Sequence, residues 1–395
     1  MKLVLLTSRN IFNTTGEFRL IDIRAKALYE KHNVKTDIIA INKSSRVRNK
    51  ELLKSAWYGK TDAVGLGKKN SIISLIKYYL LVQDYLKKNE VDIVITSGIV
   101  CNLYRPLLLF YKKKYKFKLL YDMHGAIEEI DEYNTLGINN KVIQRAVYYF
   151  LQKLEKSMIN TSDSVLVVSK TMREKVSKEY SSKRCIIIPC GINDNNTDFV
   201  FNRKKWRRKL DIEDASRVIV YSGGISQWQS IDETLEIIYD FLNYDQSHRA
   251  CIFSKDLQFI KEKIKHEYIN KIRLESLNHT EVSEALSACD VGLIIRKNDV
   301  TNNVAFPNKF SEYIQANLII IISGVISQCN IVNKYNIGRA AVDKSEIALD
   351  EIYKLVDSRN ENLYKYEMKC KEVFNSELNI NIGIQELISY CSNKI

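Results

Sequence analysis

Two doubly wound, Rossmann-like α/β domains are the expectation for this 395-residue sequence. Three observations carry it. The chain is too long for one ordinary core, and its length fits two domains of about 200 residues. Short apolar runs alternate with longer amphipathic ones along most of it, the pattern of parallel βαβ units with helices on both faces of a sheet. That alternation stops once, at Asn193–Asp198 (NDNNTD), the most turn-rich segment, and then restarts, so the domain boundary is expected there.

In the first half Leu3–Thr7 reads as a strand. A loop with Gly16 follows, then a helix over Phe18–His32 with apolar residues spaced at Leu20, Ile23, Ala27 and Leu28. Val34–Ile41 is the next strand, and residues 43–70, polar and basic, read as loop. A helix over Ile72–Lys87 leads to a strand at Val91–Thr96, and a helix over Leu103–Tyr111 to a strand at Leu119–Asp122. The long helix Val142–Asn160, strand Ser164–Ser169, helix Thr171–Tyr180 and strand Cys185–Pro189 complete the half. The second half restarts with strand Val218–Tyr221 and helix Ile231–Leu242. Strand Cys251–Phe253, helix Leu257–Tyr268, strand Ile272–Leu274, helix Glu281–Cys289 and strand Val291–Ile295 follow. A helix over Pro307–Asn317, strand Leu318–Ser323 and three helices within Ser345–Lys394 end the chain. Two such domains in succession give a cleft between them, and open parallel sheets bind ligands at the carboxyl ends of their strands.

Hydrophobic residues make up 45% of the chain, ordinary for a soluble globular protein. The net charge of +13 is uneven: residues 1–195 hold 34 Lys+Arg against 19 Asp+Glu, and the remainder 26 against 28. All the positive excess sits in the first half, which implies an anionic partner for it, such as an acidic membrane surface or a phosphorylated lipid. Lys112–Lys118 (KKKYKFK) is the densest run, and by itself reads as a solvated loop. No RNP, KH or helix-turn-helix signature accompanies the charge, so nucleic acid is not the expected partner. The eight cysteines form no C-x-x-C pair and read as reduced thiols of a cytosolic protein. The opening KLVLLTS reads as a strand and not as a signal peptide. The longest uncharged run, Tyr313–Asn333, is broken by Gln, Asn, Ser and Gly, so any membrane contact is expected to be peripheral. No Asp-x-Asp motif stands in a strand-end loop and no His/Cys cluster has ligand spacing, so no required metal is expected.

Asn303–Gly324 (NVAFPNKFSEYIQANLIIIISG) organises the rest. Proline suits the first helical position, and Phe306 before it has no side chain with which to cap. Lys309 then places a cation in the first turn, where the helix dipole disfavours it. An uncapped N-terminus with a lysine beside it is relieved by a bound anion, and phosphate is the common one. Glu312 shares a face with Lys309, where a carboxylate suits sugar hydroxyls. The alternative is a plain Lys309–Glu312 surface pair.

PNKFSEYIQANLIIIIS resembles the P-x-K-x-x-E-Y segment of retaining GT-B glycosyltransferases of family four, in the variant associated with bacterial surface-polysaccharide transferases. The resemblance implies that Asn308, Lys309 and Glu312 bind the donor, with Glu312 on its ribose. It departs from the family at Val304, where a second glutamate is usual. It also implies the GT-B fold, two Rossmann-like domains facing a central cleft. Residues 1–195 would then bind the acceptor and 196–376 the nucleotide sugar, while 377–395 would pack a last helix back on the first domain.

Other candidates sit at strand ends. His124, in YDMHGAIEE, stands just past strand 119–122; by resemblance it lines the cleft, and otherwise it is a hydrogen-bonded structural histidine. Glu128 or Glu129, one turn later, is a candidate for holding an acceptor hydroxyl or the sugar, against two solvated helix-start carboxylates. Gly223 and Gly224, in YSGGISQWQS, follow the strand that opens the second domain and would let backbone N–H groups approach a diphosphate. The family's loop carries an arginine and a lysine there, where this chain has Gly224 and Gln229. Arg296, at the end of strand 291–295, is the candidate to restore positive charge together with Lys309, its alternative being a loop pair with Asp299. Ser254 and Asn278–Val282 fall where the resemblance puts the nucleobase, and Gly16 is a candidate for approaching the phosphate from the first domain. The implied reaction moves a hexosyl unit, with retention, from a nucleotide-diphosphate sugar to a glycan or lipid-linked acceptor. It needs no cofactor and would take place in the cytoplasm, against the anionic inner membrane face. A catalytically inactive GT-B partner or glycan-binding protein is the alternative.

Overall fold

The computed structural model describes residues 1–9, 11, 16–42, 55–65, 71–180, 183–191, 199–342 and 346–392. The chain forms two compact units, Met1–Pro189 with Ile380–Ile395, and Cys190–Asn379. The seams thus fall at 189/190 and 379/380, where the sequence suggested 195/196 and 376/377. Cys190 is tied to the second unit by its carbonyl, which accepts from Ser311 Oγ at 2.6 Å. The turn-rich segment 193–198 lies outside the described residues.

The first unit runs β1 (Leu3–Thr7), α1 (Gly16–His32), β2 (Thr36–Asn42), β3 (Tyr58–Gly65), α2 (Ser71–Lys88), β4 (Ile93–Ser97), α3 (Arg105–Tyr115), β5 (Lys118–Met123), α4 (Glu129–Glu132), α5 (Lys141–Thr161), β6 (Ser164–Val167), α6 (Lys170–Glu179) and β7 (Cys185–Ile187). Its seven strands are ordered β3-β2-β1-β4-β5-β6-β7, all parallel. Strands β1 and β4 are buried along their whole length, which is why they read as apolar runs. Strand β3 corrects the loop expected over 43–70. It is an edge strand, YGKTDAVG, largely solvent-accessible, so it carries no apolar run to be seen. Residues 43–54 and 66–70 lie outside the described residues.

The second unit continues with α7 (Phe199–Lys209), β8 (Val218–Ser222), α8 (Ile231–Tyr244), β9 (Arg249–Phe253), α9 (Leu257–Lys263), β10 (Ile272–Glu275), α10 (His279–Ala285), β11 (Val291–Ile294), α11 (Val300–Val304), α12 (Asn308–Gln315), β12 (Ile319–Ser323), α13 (Ile326–Tyr335), β13 (Gly338–Ala341), α14 (Leu349–Glu361) and α15 (Leu363–Val373). Its strands are parallel in the order β10-β9-β8-β11-β12-β13. The last helix, α16 (Ile380–Ser392), belongs to the first unit. Ile384 and Leu387 enter that unit's core, and Gly383 lies so close to β7 that a Cβ would meet the Ile187 carbonyl oxygen at 2.2 Å.

Helices α7, α11 and α13 and strand β13 were not expected from the sequence. The case of α7 is instructive, because FVFNRKKWRRK has no apolar stripe of the usual width. It docks instead through arginine. Arg203 and Arg207 reach the buried Asp290 at 2.8 and 3.1 Å, and Arg359 of α14 joins them at 3.1 Å. The Val218 N–H donates to the same carboxylate at 2.8 Å. Burial alone would raise the Asp290 pKa, but Arg203, Arg359 and Arg207 outweigh it and hold the carboxyl below its usual range. One carboxylate thus joins α7 and α14 to the start of β8.

Replacing Asp290 by alanine leaves Arg207 and Arg359 buried beside an uncompensated cavity. The expected loss of stability is about 3–5 kcal/mol, read from urea unfolding of the purified variant. Because the folded-state pKa is depressed, this stabilisation is complete above the ordinary carboxylate range and is lost as pH falls below it. An unchanged unfolding midpoint at neutral pH would refute the anchoring role.

Candidate functional site

The second unit's strand order reverses between β8 and β11. At the carboxyl end of such a reversal the flanking loops diverge and leave a crevice, where open parallel sheets hold ligands. Gly223–Gly224 follows β8 on one side and Arg296 follows β11 on the other, with the N-terminus of α12 beside them.

Helix α12 begins one residue later than expected. Pro307 occupies the capping position, at φ −62° and ψ 125°, and no side chain caps the first turn. The helix ends where Asn317 turns left-handed at φ 54°, a conformation asparagine tolerates, and the Leu318 N–H closes on the Tyr313 carbonyl at 3.0 Å. Lys309 and Glu312 are both buried, which removes the surface-pair alternative.

The Lys309 ammonium donates to Gln229 Oε1 at 3.1 Å and lies 4.0 Å from the Tyr221 ring centroid. A Cβ added at Gly223 would stand 2.7 Å from Nζ, so the cation sits directly against that glycine. Arg296 Nη2 donates to the same Gln229 oxygen at 3.4 Å, while its Nη1 reaches Asn302 Oδ1 at 3.3 Å. Two cations from different elements therefore meet at one amide oxygen. Burial and the neighbouring Arg296 charge push the Lys309 pKa well down, against an opposing pull from Glu312. A crevice in which two buried cations share a neutral acceptor is one that an anion relieves.

Gln229 is the residue that sequence reasoning missed. In the sequence it reads only as a lost cation; in the structure it is the bracket on which the two remaining cations are held. Tyr313 was also unassigned. Its hydroxyl accepts from the Ser222 N–H at 3.0 Å and donates to the Leu293 carbonyl at 3.4 Å, pinning α12 to the ends of both strands. Its ring occupies the space over Gly292, where a Cβ would meet Cδ2 at 2.4 Å. Gly324, at φ +64°, lets the Arg296 strand end come close, since a Cβ there would be 2.3 Å from the Arg296 carbonyl oxygen. Ser323 Oγ accepts from the Arg296 N–H at 3.2 Å and donates to its carbonyl at 3.1 Å.

The remaining second-unit candidates stand at strand ends and helix termini. Asn308 is the first residue of α12 and half-buried. His279 Nδ1 lies 3.9 Å from Glu312 Oε1. Asn278 forms a capping box with Glu281 at the start of α10, and Ser254 Oγ accepts from the Asp256 N–H at 3.1 Å. Val304, at the end of α11, is buried.

In the first unit His124 stands one residue past β5, and its imidazole is buried. Nε2 hydrogen-bonds the Asp122 carboxylate, whose other oxygen accepts from Arg24 Nη1 at 2.8 Å. Arg24 Nη2 then donates to the Ile188 carbonyl at 2.7 Å. Burial would raise the Asp122 pKa, but Arg24 and then His124 hold it well below the usual carboxylate range; burial lowers that of His124. The ring is thus a fixed, neutral group, with Nδ1 meeting no partner among the described residues. Glu128 forms an ion pair with Lys175 of α6, so it is no longer a freely solvated carboxylate. Gly16 opens α1, and its surroundings lie outside the described residues. Among the described residues, no three His, Cys, Asp or Glu side chains group as a metal site would need.

Residues 25–196 match the family model described as Glycosyltransferase Family 4. No curated protein matches the sequence. Among solved structures, sucrose-phosphate synthase from Thermosynechococcus elongatus superimposes with a TM-score of 0.72 at 12% identity, covering 99% of each chain. A glycosyltransferase from Rickettsia africae gives 0.70 at 13% identity, over 100% of this chain and 99% of that one. The HepE protein of Anabaena, in complex with UDP-glucose, gives 0.69 at 12% identity over 100% of each. At such identities the likeness is one of fold. The chain carries the GT-B fold of glycosyltransferases, with the family-4 signature in residues 25–196.

Proposed function

We propose that the protein transfers a hexosyl unit, with retained configuration, from a nucleotide-diphosphate sugar to a hydroxyl of a glycan or lipid-linked glycan acceptor. The observation that supports this best is the meeting of Arg296 and Lys309 on Gln229 Oε1, against Gly223, at the reversal of strand order. That the similar HepE protein is held with UDP-glucose lends weight to the donor class.

In this reading the donor diphosphate lies between Gly223–Gly224 and the start of α12. Breaking the bond from the anomeric carbon to the phosphate oxygen sends the electron pair to the diphosphate. Arg296, Lys309 and the uncapped amides of α12 stabilise the charge that develops. The acceptor oxygen bonds to the anomeric carbon on the same face, and its proton passes to a diphosphate oxygen. Two fixed cations supply the charge that a metal would, so none is required. Glu312 takes ribose hydroxyls. His124 and Glu128 of the first unit are assigned to sugar and acceptor hydroxyls, with His124 offering a neutral ring in one tautomer. The product is a bacterial surface polysaccharide such as capsule, built at the cytoplasmic face of the membrane with the chain bound peripherally.

Calorimetry with uridine, guanosine and adenosine diphosphates is expected to show binding of at least one. Arg296→Ala and Lys309→Ala are each expected to weaken it about tenfold or more, the scale of a charge-assisted hydrogen bond to phosphate. No binding of any nucleoside diphosphate would favour an inactive GT-B partner instead. Asp122→Asn offers a contrast. It strands the Arg24 cation, and the expected cost is about 3–5 kcal/mol in urea unfolding, while nucleotide binding to the second unit stays as it was.

A further inference from the structure

Helices α2, α3, α5 and α6 cover one face of the first unit's sheet, and the first three adjoin one another. Each of the steps β3–α2–β4, β4–α3–β5 and β5–α5–β6 moves the same way along the strand order, and right-handed crossovers place their helices on the same side. The helices are neighbours. Tyr104, just before α3, donates its hydroxyl to the Leu75 carbonyl of α2 at 3.0 Å and packs its ring on Tyr78, and α5 lies against the 99–104 turn.

The outward side of this layer has an unusual composition. Ile72, Ile76 and Leu80 of α2 form a stripe at four-residue spacing, Phe110 stands out from α3, and Ile143 and Phe150 lie a heptad apart on α5. All six are more than half exposed. Scattered apolar residues are normal on a surface, but aligned large ones on adjoining helices mark an interaction face. The charge around them is predominantly positive. Together α2, α3 and α5 carry 11 Lys+Arg and two acidic residues, Asp84 and Glu155. Glu155 does not offset the surface charge, because it accepts from the Tyr121 hydroxyl at 2.9 Å, inside the layer. Lys113 and Lys114 flank Phe110 on the helix, and Lys153 follows Phe150 by one turn, all three exposed. The basic run that reads as a solvated loop in the sequence is the last turn of α3 and its exit.

We propose that this layer is a docking surface for an anionic lipid bilayer, with the apolar side chains entering the interface and the lysines contacting headgroup charge. Aliphatic residues among cations suit a bilayer better than a nucleic acid, whose backbone calls for cations without exposed isoleucine. The proposal deepens the membrane-associated part of the reading above and rests on that part alone.

Sedimentation of the full chain with vesicles tests it without involving nucleotide. Vesicles with about a third phosphatidylglycerol are expected to carry the protein down, and pure phosphatidylcholine vesicles to leave it in solution. Combined Lys113→Glu, Lys114→Glu and Lys153→Glu is expected to lower the partition coefficient about a hundredfold or more. Ile72→Ser with Ile76→Ser and Phe110→Ser is expected to lower it while making the residual binding easier to remove with salt. These are surface positions, and an unchanged thermal melt confirms that each variant folds. Equal binding to both vesicle types, absence of binding, variants that sediment like the parent, or capture by RNA in preference to vesicles would each overturn the proposal. None of these results would touch the donor site, whose calorimetry stands apart.

Discussion

The repulsion between two buried cations is the constraint around which the second unit's crevice is built. Arg296 and Lys309 come from elements that share no local sequence, a strand end and a helix start, and nothing but the fold forces them together. Gln229 Oε1 lies between them as a neutral acceptor, which steadies their positions without cancelling their charge. A carboxylate at 229 would cancel half of the pair's charge, and a lysine would add a third like charge. The amide is the choice that keeps the charge available for an anion. The positioning is then made rigid from below. Tyr313 bolts α12 to β8 and β11, while Ser323 and Gly324 fix the backbone of Arg296. Stabilisation of developing charge depends on groups that do not have to move.

The same physics explains what could be read from the sequence and what could not. Strands buried on both faces must be apolar, so β1, β4, β8 and β12 announce themselves. An edge strand has one neighbour and one wet side, and β3 accordingly hides in a polar stretch. The helical pattern assumes that a helix docks through an apolar stripe. Helix α7 docks through Arg203 and Arg207 onto a carboxylate 80 positions or more away, which no local window detects. At the candidate site, the positions of Lys309, Glu312, Gly223 and Arg296 were legible because they stand at strand ends and a helix start, where open sheets offer loops to ligands. Gln229 was not, because its role is defined by two partners that are distant in sequence and adjacent in space.

The two units use positive charge in opposite ways. In the second, arginine is spent inward, with Arg203, Arg207 and Arg359 on Asp290 and Arg296 at the crevice. A planar, weakly hydrated guanidinium with several fixed donors can be buried when most of them find acceptors. Arg207 shows the requirement, satisfying carbonyls of Glu213, Asp214 and Ala288 besides Asp290. In the first unit the excess is mostly lysine on helix exteriors, where a strongly hydrated ammonium on a flexible stem costs little. A buried lysine is accordingly the exception that calls for a reason.

Lys309 is that exception, and its burial has a consequence for how an anion would enter. Desolvation and then the Arg296 charge disfavour its ammonium. A negative ligand placed against it would favour the ammonium. Arg296 cannot respond in this way, because guanidinium does not deprotonate in proteins. Arg296 thus keeps the crevice positive whatever its occupant, and Lys309 is the cation whose charge an anion would reinforce. Glu312, on the same helix face, already favours the charged lysine from the other side.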